Sequence, residues 1–182
     1  ILVRLYEKDT GLIPPNAFIP AAERYYLMPN IDRWVVARAL AMIGRNRWSE
    51  DTSDQPMMYA INLSGQSLCD DQFLDFVVMH LQESGIPPAR ICFEITETAA
   101  IANLTRAIDF MTRLKDIGCR FALDDFGSGL SSFGYLKSLA VDYLKIAGNF
   151  IQDIAVDPVD HAMVDAINAD FQPAKSFLER LL

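Results

Sequence analysis

Residues 90–125 read RICFEITETAAIANLTRAIDFMTRLKDIGCRFALDD, and this stretch decides the fold. Its ends, RICFEI (90–95) and CRFALD (119–124), are short apolar runs of strand length. Between them Leu104, Ile108, Met111 and Leu114 recur at helical spacing, and Gly118 stops the pattern. Strand, helix and strand in one turn of chain make a βαβ unit, which requires parallel strands. Working upstream, MMYAINL (57–63) precedes a helix over Cys69–Glu83 whose Phe73, Phe76, Val77 and Leu81 share a face, closed by Gly85 and Pro87-Pro88. Downstream come a helix over Ser131–Leu139, the strand DYLKI (142–146), and a helix over Asp157–Asn168 that Asp157 and Pro158 open as N-cap and first turn. Further out, Ile1–Tyr6 reads as another strand. Asp32–Ile43 reads as a helix with Val35, Val36, Ala39, Leu40 and Ile43 on its buried face, and Gly44–Pro56 as a polar connector.

Composition agrees with one globular α/β unit. The chain has 182 residues, 51% hydrophobic and 22% charged, and no stretch is apolar enough for a transmembrane helix or a secretory core. A formal net charge of -8 argues against broad binding to a phosphate backbone, so bulk nucleic acid is excluded as a partner. Cys69, Cys92 and Cys119 are scattered without a CxxC pair, and read as reduced core thiols in a reducing compartment. His80 and His161 fall inside helical patterns and receive no catalytic role.

Polar residues interrupt the apolar strands in one kind of place. Asn62, Glu94, Asp124, Asp125 and Lys145 all fall toward C-terminal strand ends. In a parallel β/α barrel those ends share a face, where loops build the active site. Three carboxylates and a carboxamide offer hard oxygens suited to Mg²⁺ or Mn²⁺ rather than zinc, and adjacent aspartates can place an oxygen between two cations. A two-metal site of that kind serves phosphodiester hydrolysis. From the pattern alone, Lys145 has two readings of equal weight: a phosphate-seeking catalytic ammonium, or one partner in a buried salt-bridge network with the aspartates.

The strings FIPAAE (18–23), NLSGQ (62–66), EITE (94–97), ALDDFGSG (122–129) and YLKI (143–146) occur in the order and at the spacing of the EAL domain family, which the chain resembles from Ile1 to about Ala169. The resemblance implies a (βα)8 TIM-like barrel, incomplete in these residues, and a phosphodiesterase that linearises cyclic di-GMP to pGpG with Mg²⁺ or Mn²⁺. Carried over by position, Asn62, Glu94, Asp124 and Asp125 match the metal ligands, Asp125 with Lys145 the catalytic pair, and Glu97 the acid that tethers the loop after the aspartates. Leu2 and Arg4 match ligand contacts of the signature strand, and Ser64 and Gln66 are candidate ligand contacts. Residues 126–132 form a Gly- and Ser-rich loop, read as a lid by resemblance and as an ordinary turn without it. The resemblance also implies a homodimer, fusion to GGDEF or sensory domains, and a cytoplasmic domain of a parent that carries a membrane anchor in some arrangements.

Three departures accompany the match. The signature glutamate would precede Ile1. After Ile167-Asn168 the strands bearing a further catalytic glutamate and a ligand-binding glutamine are missing, so residues 1–182 are expected to be a single domain that joins pieces of a longer one near Ala169-Asp170, before a final helix over Ala174–Leu182. Five strands do not close an eight-stranded barrel, and that fold ordinarily takes roughly 250 residues. Ala147 stands where the family usually has an aspartate. Beside the active phosphodiesterase stand two other readings, a silent cyclic di-GMP receptor and a barrel enzyme that stabilises an enolate with metal.

Overall fold

A computed structural model describes residues 1–9, 11–45, 57–127 and 133–148, and residues 157, 158, 161, 162, 164, 165 and 167. In chain order the elements are β1 (Leu5–Glu7), β2 (Gly11–Ile13), α1 (Pro15–Arg24), α2 (Met28–Arg45), β3 (Tyr59–Leu63), α3 (Gly65–Leu68), α4 (Phe73–Ser84), β4 (Ile91–Thr96), α5 (Glu97–Ala102), α6 (Leu104–Ile117), β5 (Arg120–Phe126) and β6 (Tyr143–Ile146). A 3₁₀ turn covers Pro88–Arg90, and another covers Phe133–Ser138.

The strands β3, β4, β5 and β6 form one parallel sheet in sequence order. Consecutive order without reversal leaves no topological switch point, which is the arrangement of a barrel arc rather than of a doubly wound sheet. Both sheet faces are covered, so the strands are apolar almost throughout: Ile91, Cys92, Phe93 and Ile95 in β4, and Phe121, Ala122 and Leu123 in β5, are buried. Aromatic rings bind helix to sheet. Phe93 lies 5.8 Å from Phe121, whose ring meets Phe110 of α6 edge-on at 6.3 Å, and Phe110 stacks on Phe73 of α4 at 6.0 Å.

Helix α6 ends because Gly118 takes φ +108 while its N–H reaches Lys115 O and that of Cys119 reaches Leu114 O, satisfying the last carbonyls in a Schellman cap. Several boundaries differ from expectation. The N-terminal strand is Leu5–Glu7, and it pairs antiparallel with Gly11–Ile13 as a separate hairpin. Ile1 instead lies beside the sheet, its amino group donating to Ala60 O. Helix α2 begins at Met28, one turn before the expected start at Asp32. Helix α4 begins at Phe73 rather than Cys69, because Cys69 is the C-cap of a separate short helix, α3. The segment expected as a helix over Ser131–Leu139 is a 3₁₀ turn over its described part. Cys92 and Cys119 are buried as expected, but Cys69, at the end of α3, is exposed. Residues 46–56, 128–132 and 168–182, which hold most of the expected connector, most of the candidate lid and the final helix, lie outside the described residues. Among the described residues no helix is long and apolar enough to cross a membrane.

Candidate functional site

The parallel register sets the site. Asn62 of β3 is the direct partner of Glu94 of β4, and Asp124 of β5 is the partner of Thr96, two residues further along β4. Three neighbouring strands therefore bring a carboxamide and two carboxylates to one end of the sheet. Between β5 and β6 the register slips: Leu123 pairs with Leu144 and Phe126 with Ile146, so Asp124 and Asp125 together oppose Lys145. Asp125 takes φ +54 at this bulge, a left-handed conformation that aspartate tolerates better than most residues. In a regular strand adjacent side chains leave opposite faces, and the bulge breaks that alternation between the two aspartates.

Lys145 joins the strands. Its Nζ donates to Asp124 Oδ2 at 2.7 Å and to Glu94 Oε2 at 3.2 Å, and all three side chains are partly buried. Burial is the largest single influence on the lysine and disfavours its charge. The bonds and charges of Asp124 and Glu94 together outweigh it and hold the ammonium above its usual range. The Asp125 N–H donates to Asp124 Oδ1 at 3.0 Å, fixing that carboxylate's other oxygen.

Glu97, at the start of α5, is 1% exposed. Its Oε2 accepts the Gly127 N–H at 2.9 Å, and its Oε1 accepts the Tyr135 hydroxyl. A residue after β4 thus holds two residues that follow β5, Gly127 and Tyr135. Tyr135 had no signal in the sequence beyond an aromatic in a short polar run.

The remaining candidates are engaged elsewhere. Ser64 is the N-cap of α3, accepting from the Ser67 N–H at 3.3 Å. Gln66 Nε2 donates to Glu23 O of α1 at 2.7 Å. Arg4 is exposed and donates to the carbonyl of its neighbour Val3 at 2.8 Å. Leu2 and Arg4 line an apolar cavity of about 620 Å³ with Trp34, Met42 and Tyr59, and Arg4 also lines a second, of about 650 Å³, with Phe18, Tyr25 and Trp34. Neither cavity is lined by Asn62, Glu94, Asp124, Asp125 or Lys145. Cavities so poor in convergent polar groups make weak reaction sites, so the strand-end cluster is the better candidate.

The donor set suits a hard divalent cation: Asn62, Glu94, Asp124 and Asp125 offer only oxygen, at one sheet end, in partly buried or exposed positions. Among the described residues no three His, Cys, Asp or Glu side chains already stand as a preformed cage. The ammonium of Lys145 supplies the positive charge between Glu94 and Asp124. His80 stays on its own helix, within hydrogen-bond reach of Phe76 O at 3.0 Å, and His161 pairs with Asp165 on an exposed surface.

Comparison with known proteins gives a consistent answer. The family model for the EAL domain matches residues 1–172. The cyclic di-GMP phosphodiesterase PdeB of Shewanella oneidensis is 41% identical over 169 residues, covering 92% of this chain and 19% of that protein. The cyclic di-GMP phosphodiesterase PdeF of Escherichia coli is 35% identical, covering 92% of this chain and 22% of that protein. The chain thus spans about a fifth of the length of these curated relatives. Among solved structures, the PaMucR phosphodiesterase in complex with c-di-GMP aligns with a TM-score of 0.83 at 32% identity, covering 96% of this chain and 70% of that one. The FimX EAL domain from Pseudomonas aeruginosa bound to c-di-GMP aligns with the same TM-score at 28% identity, covering 96% and 69%. These neighbours are TIM-like barrels, and the four parallel strands form part of such a barrel, incomplete among the described residues.

Proposed function

Because the chain belongs to the EAL domain family, we propose that it hydrolyses cyclic di-GMP to linear pGpG in bacterial second-messenger signalling. The observation that carries this reading is the meeting of Glu94, Asp124 and Lys145 at one end of three parallel strands, with Asn62 in register beside Glu94. Asn62, Glu94, Asp124 and Asp125 would hold Mg²⁺ or Mn²⁺ through their oxygens. When bound, such cations supply Lewis acidity and offset the charge gathering on the phosphoryl group.

The chain's own groups perform the rest. Lys145 donates hydrogen bonds, and its ammonium steadies either the attacking water or the phosphate oxygens, which it meets as a compact point charge. Asp125, exposed at the bulge, is proposed as the carboxylate that takes the proton of that water. The reaction adds one water across one P–O bond and returns a proton to the released ribose hydroxyl. Glu97 holds the segment after β5, and Leu2, Arg4, Ser64 and Gln66 remain proposed ligand contacts that would have to turn toward the nucleotide. The proposal includes residues 1–182 as one domain that lacks a segment near 169–170, a homodimer, a cytoplasmic domain, and GGDEF or sensory modules in the parent. Curated relatives are about five times longer than the matched region, which leaves room for such modules in those proteins.

The test is a turnover assay of the complete parent protein with cyclic di-GMP and Mn²⁺, read as released pGpG. Lys145→Ala is expected to cost about 10²–10³-fold in kcat, the scale for removing one group that stabilises developing charge. Turnover unchanged in that variant overturns the assignment. One observation favours a second reading, a silent receptor. Ala147 is 6% exposed and presents a methyl group two residues beyond Lys145, where the family usually carries an aspartate. Nucleotide binding without turnover in Mn²⁺ selects that reading.

A further inference from the structure

We propose that Asp32 is a positioning residue for the cation site, holding Asn62 in place through the turn that follows β3; this rests on the reading of Asn62 given above. Asp32, Val36, Ala39, Leu40 and Ile43 are buried and recur at the spacing of one helix face. Asp32 therefore occupies a core position, 4% exposed, where the pattern calls for an apolar side chain. An ionised carboxylate in such a place is costly unless hydrogen-bonded. Its Oδ2 accepts the backbone N–H of Ser64 at 2.9 Å and the hydroxyl of Ser67 at 2.6 Å.

Both donors belong to the chain leaving β3. The Ser64 N–H is part of the peptide that joins Leu63 to Ser64, immediately after the proposed ligand Asn62 and Leu63, so anchoring it fixes the direction in which the strand ends. Helix α3 has only four residues, too short to hold itself, and its shape depends on what grips it. The grip has three sides. Asp32 holds it from α2. Gln66 ties it to Glu23 O of α1 at 2.7 Å. From α5, a Cβ on Gly65 would stand 3.1 Å from Ala99 Cβ, so the two backbones meet about as closely as side chains permit. A short turn clamped this way gives Asn62 a fixed seat on an otherwise exposed strand end. Partners that orient metal ligands from behind typically change metal affinity about 10–100-fold when removed.

The experiment measures Mn²⁺ binding by calorimetry on the full-length parent without nucleotide, alongside its thermal midpoint, for Asp32→Ala, Asp32→Asn, Ser67→Ala, Asn62→Ala and the Asp32→Ala/Asn62→Ala pair. Asp32→Ala is expected to weaken Mn²⁺ by about 10-fold or more. Asp32→Asn keeps an acceptor for Ser64 and Ser67→Ala keeps the Ser64 bond, so each should weaken it by a smaller factor. In the Asn62→Ala background Asp32→Ala should add nothing, because the coupling runs through Asn62. Variants that lose thermal stability yet bind Mn²⁺ as tightly as the parent overturn the inference and leave Asp32 a packing residue. Additive losses in the double variant also overturn it. A parent that binds no Mn²⁺ overturns the site reading itself, an outcome distinct from the other two.

Discussion

Replacing Glu97 tests how the segment after β5 is held. Its carboxylate, 1% exposed, accepts the Gly127 N–H at 2.9 Å and the Tyr135 hydroxyl. Hydrogen bonds to a charged acceptor contribute about 1.5–3 kcal/mol each, and donors left buried without a partner carry their own desolvation penalty of about 1–3 kcal/mol. Removing the buried charge recovers part of this, so Glu97→Ala is expected to destabilise by about 3–5 kcal/mol. For a chain of this size each kcal/mol moves the midpoint by about 2–4 °C, a fall of about 6–20 °C. Glu97→Gln keeps one acceptor for Gly127 and offers Tyr135 a donor, and should lose about 1–2 kcal/mol; Tyr135→Phe should lose a similar amount. The pair Glu97→Ala/Tyr135→Phe should be little worse than Glu97→Ala, because the hydroxyl has already lost this acceptor. Urea titrations followed by circular dichroism measure all four variants. A Glu97→Ala protein within 1 kcal/mol of the parent, or strictly additive losses in the pair, refutes the reasoning.

Further predictions concern the cysteines and Ala147. Burial, reinforced at Cys92 by the charges of Glu94 and Asp142, pushes both Cys92 and Cys119 from 9.0 up to about 12. A raised folded value means stability is intact below the unfolded pKa and is lost as pH climbs from about 9 toward 12; near pH 10 each thiol costs about 1.4 kcal/mol, and Cys92→Ala/Cys119→Ala should flatten that decline in urea titrations. A thiol-reactive dye should label exposed Cys69 at once, and Cys92 and Cys119 only on unfolding. Ala147→Asp should raise pGpG release in Mn²⁺ if the missing carboxylate limits turnover. The same change should lower folding stability in chelator by about 1–3 kcal/mol, since the position is 6% exposed and an unpaired carboxylate there is poorly solvated.

The sheet was legible because a parallel strand covered on both faces leaves an uninterrupted apolar run. The expected bounds of β3, β4, β5 and β6 lie within two residues of the observed ones, and three of the polar residues breaking those runs, Glu94, Asp124 and Lys145, meet at the sheet end. What could not be read depends on backbone detail or on distant contacts. Helix α1 begins with Pro15 and carries Pro20 in its interior, where proline ordinarily breaks a helical pattern. The left-handed Asp125 has no glycine to announce it, and only pairing with β6 reveals the bulge. Asp32 looked like the polar opening of a helix until the preceding turn, Met28–Ile31, proved helical and carried it into the core.

These unread features share one physical role. A strand end places a residue to within the sheet spacing, but a site needs its loops held as well. Here α3 is gripped by Asp32 and packed on α5 through Gly65 and Ala99, and α5 begins with Glu97, which clasps Gly127 and Tyr135 after β5. The exits of β3, β4 and β5 are thereby chained to one another through buried carboxylates, while Lys145 ties β4 and β5 to β6. Each buried carboxylate in this chain would be unfavourable alone, and each is satisfied by donors from the next loop. Stability and site geometry are therefore coupled through the same bonds, so variants at Asp32 and Glu97 should move the affinity of the strand-end cluster for Mn²⁺ together with the thermal midpoint.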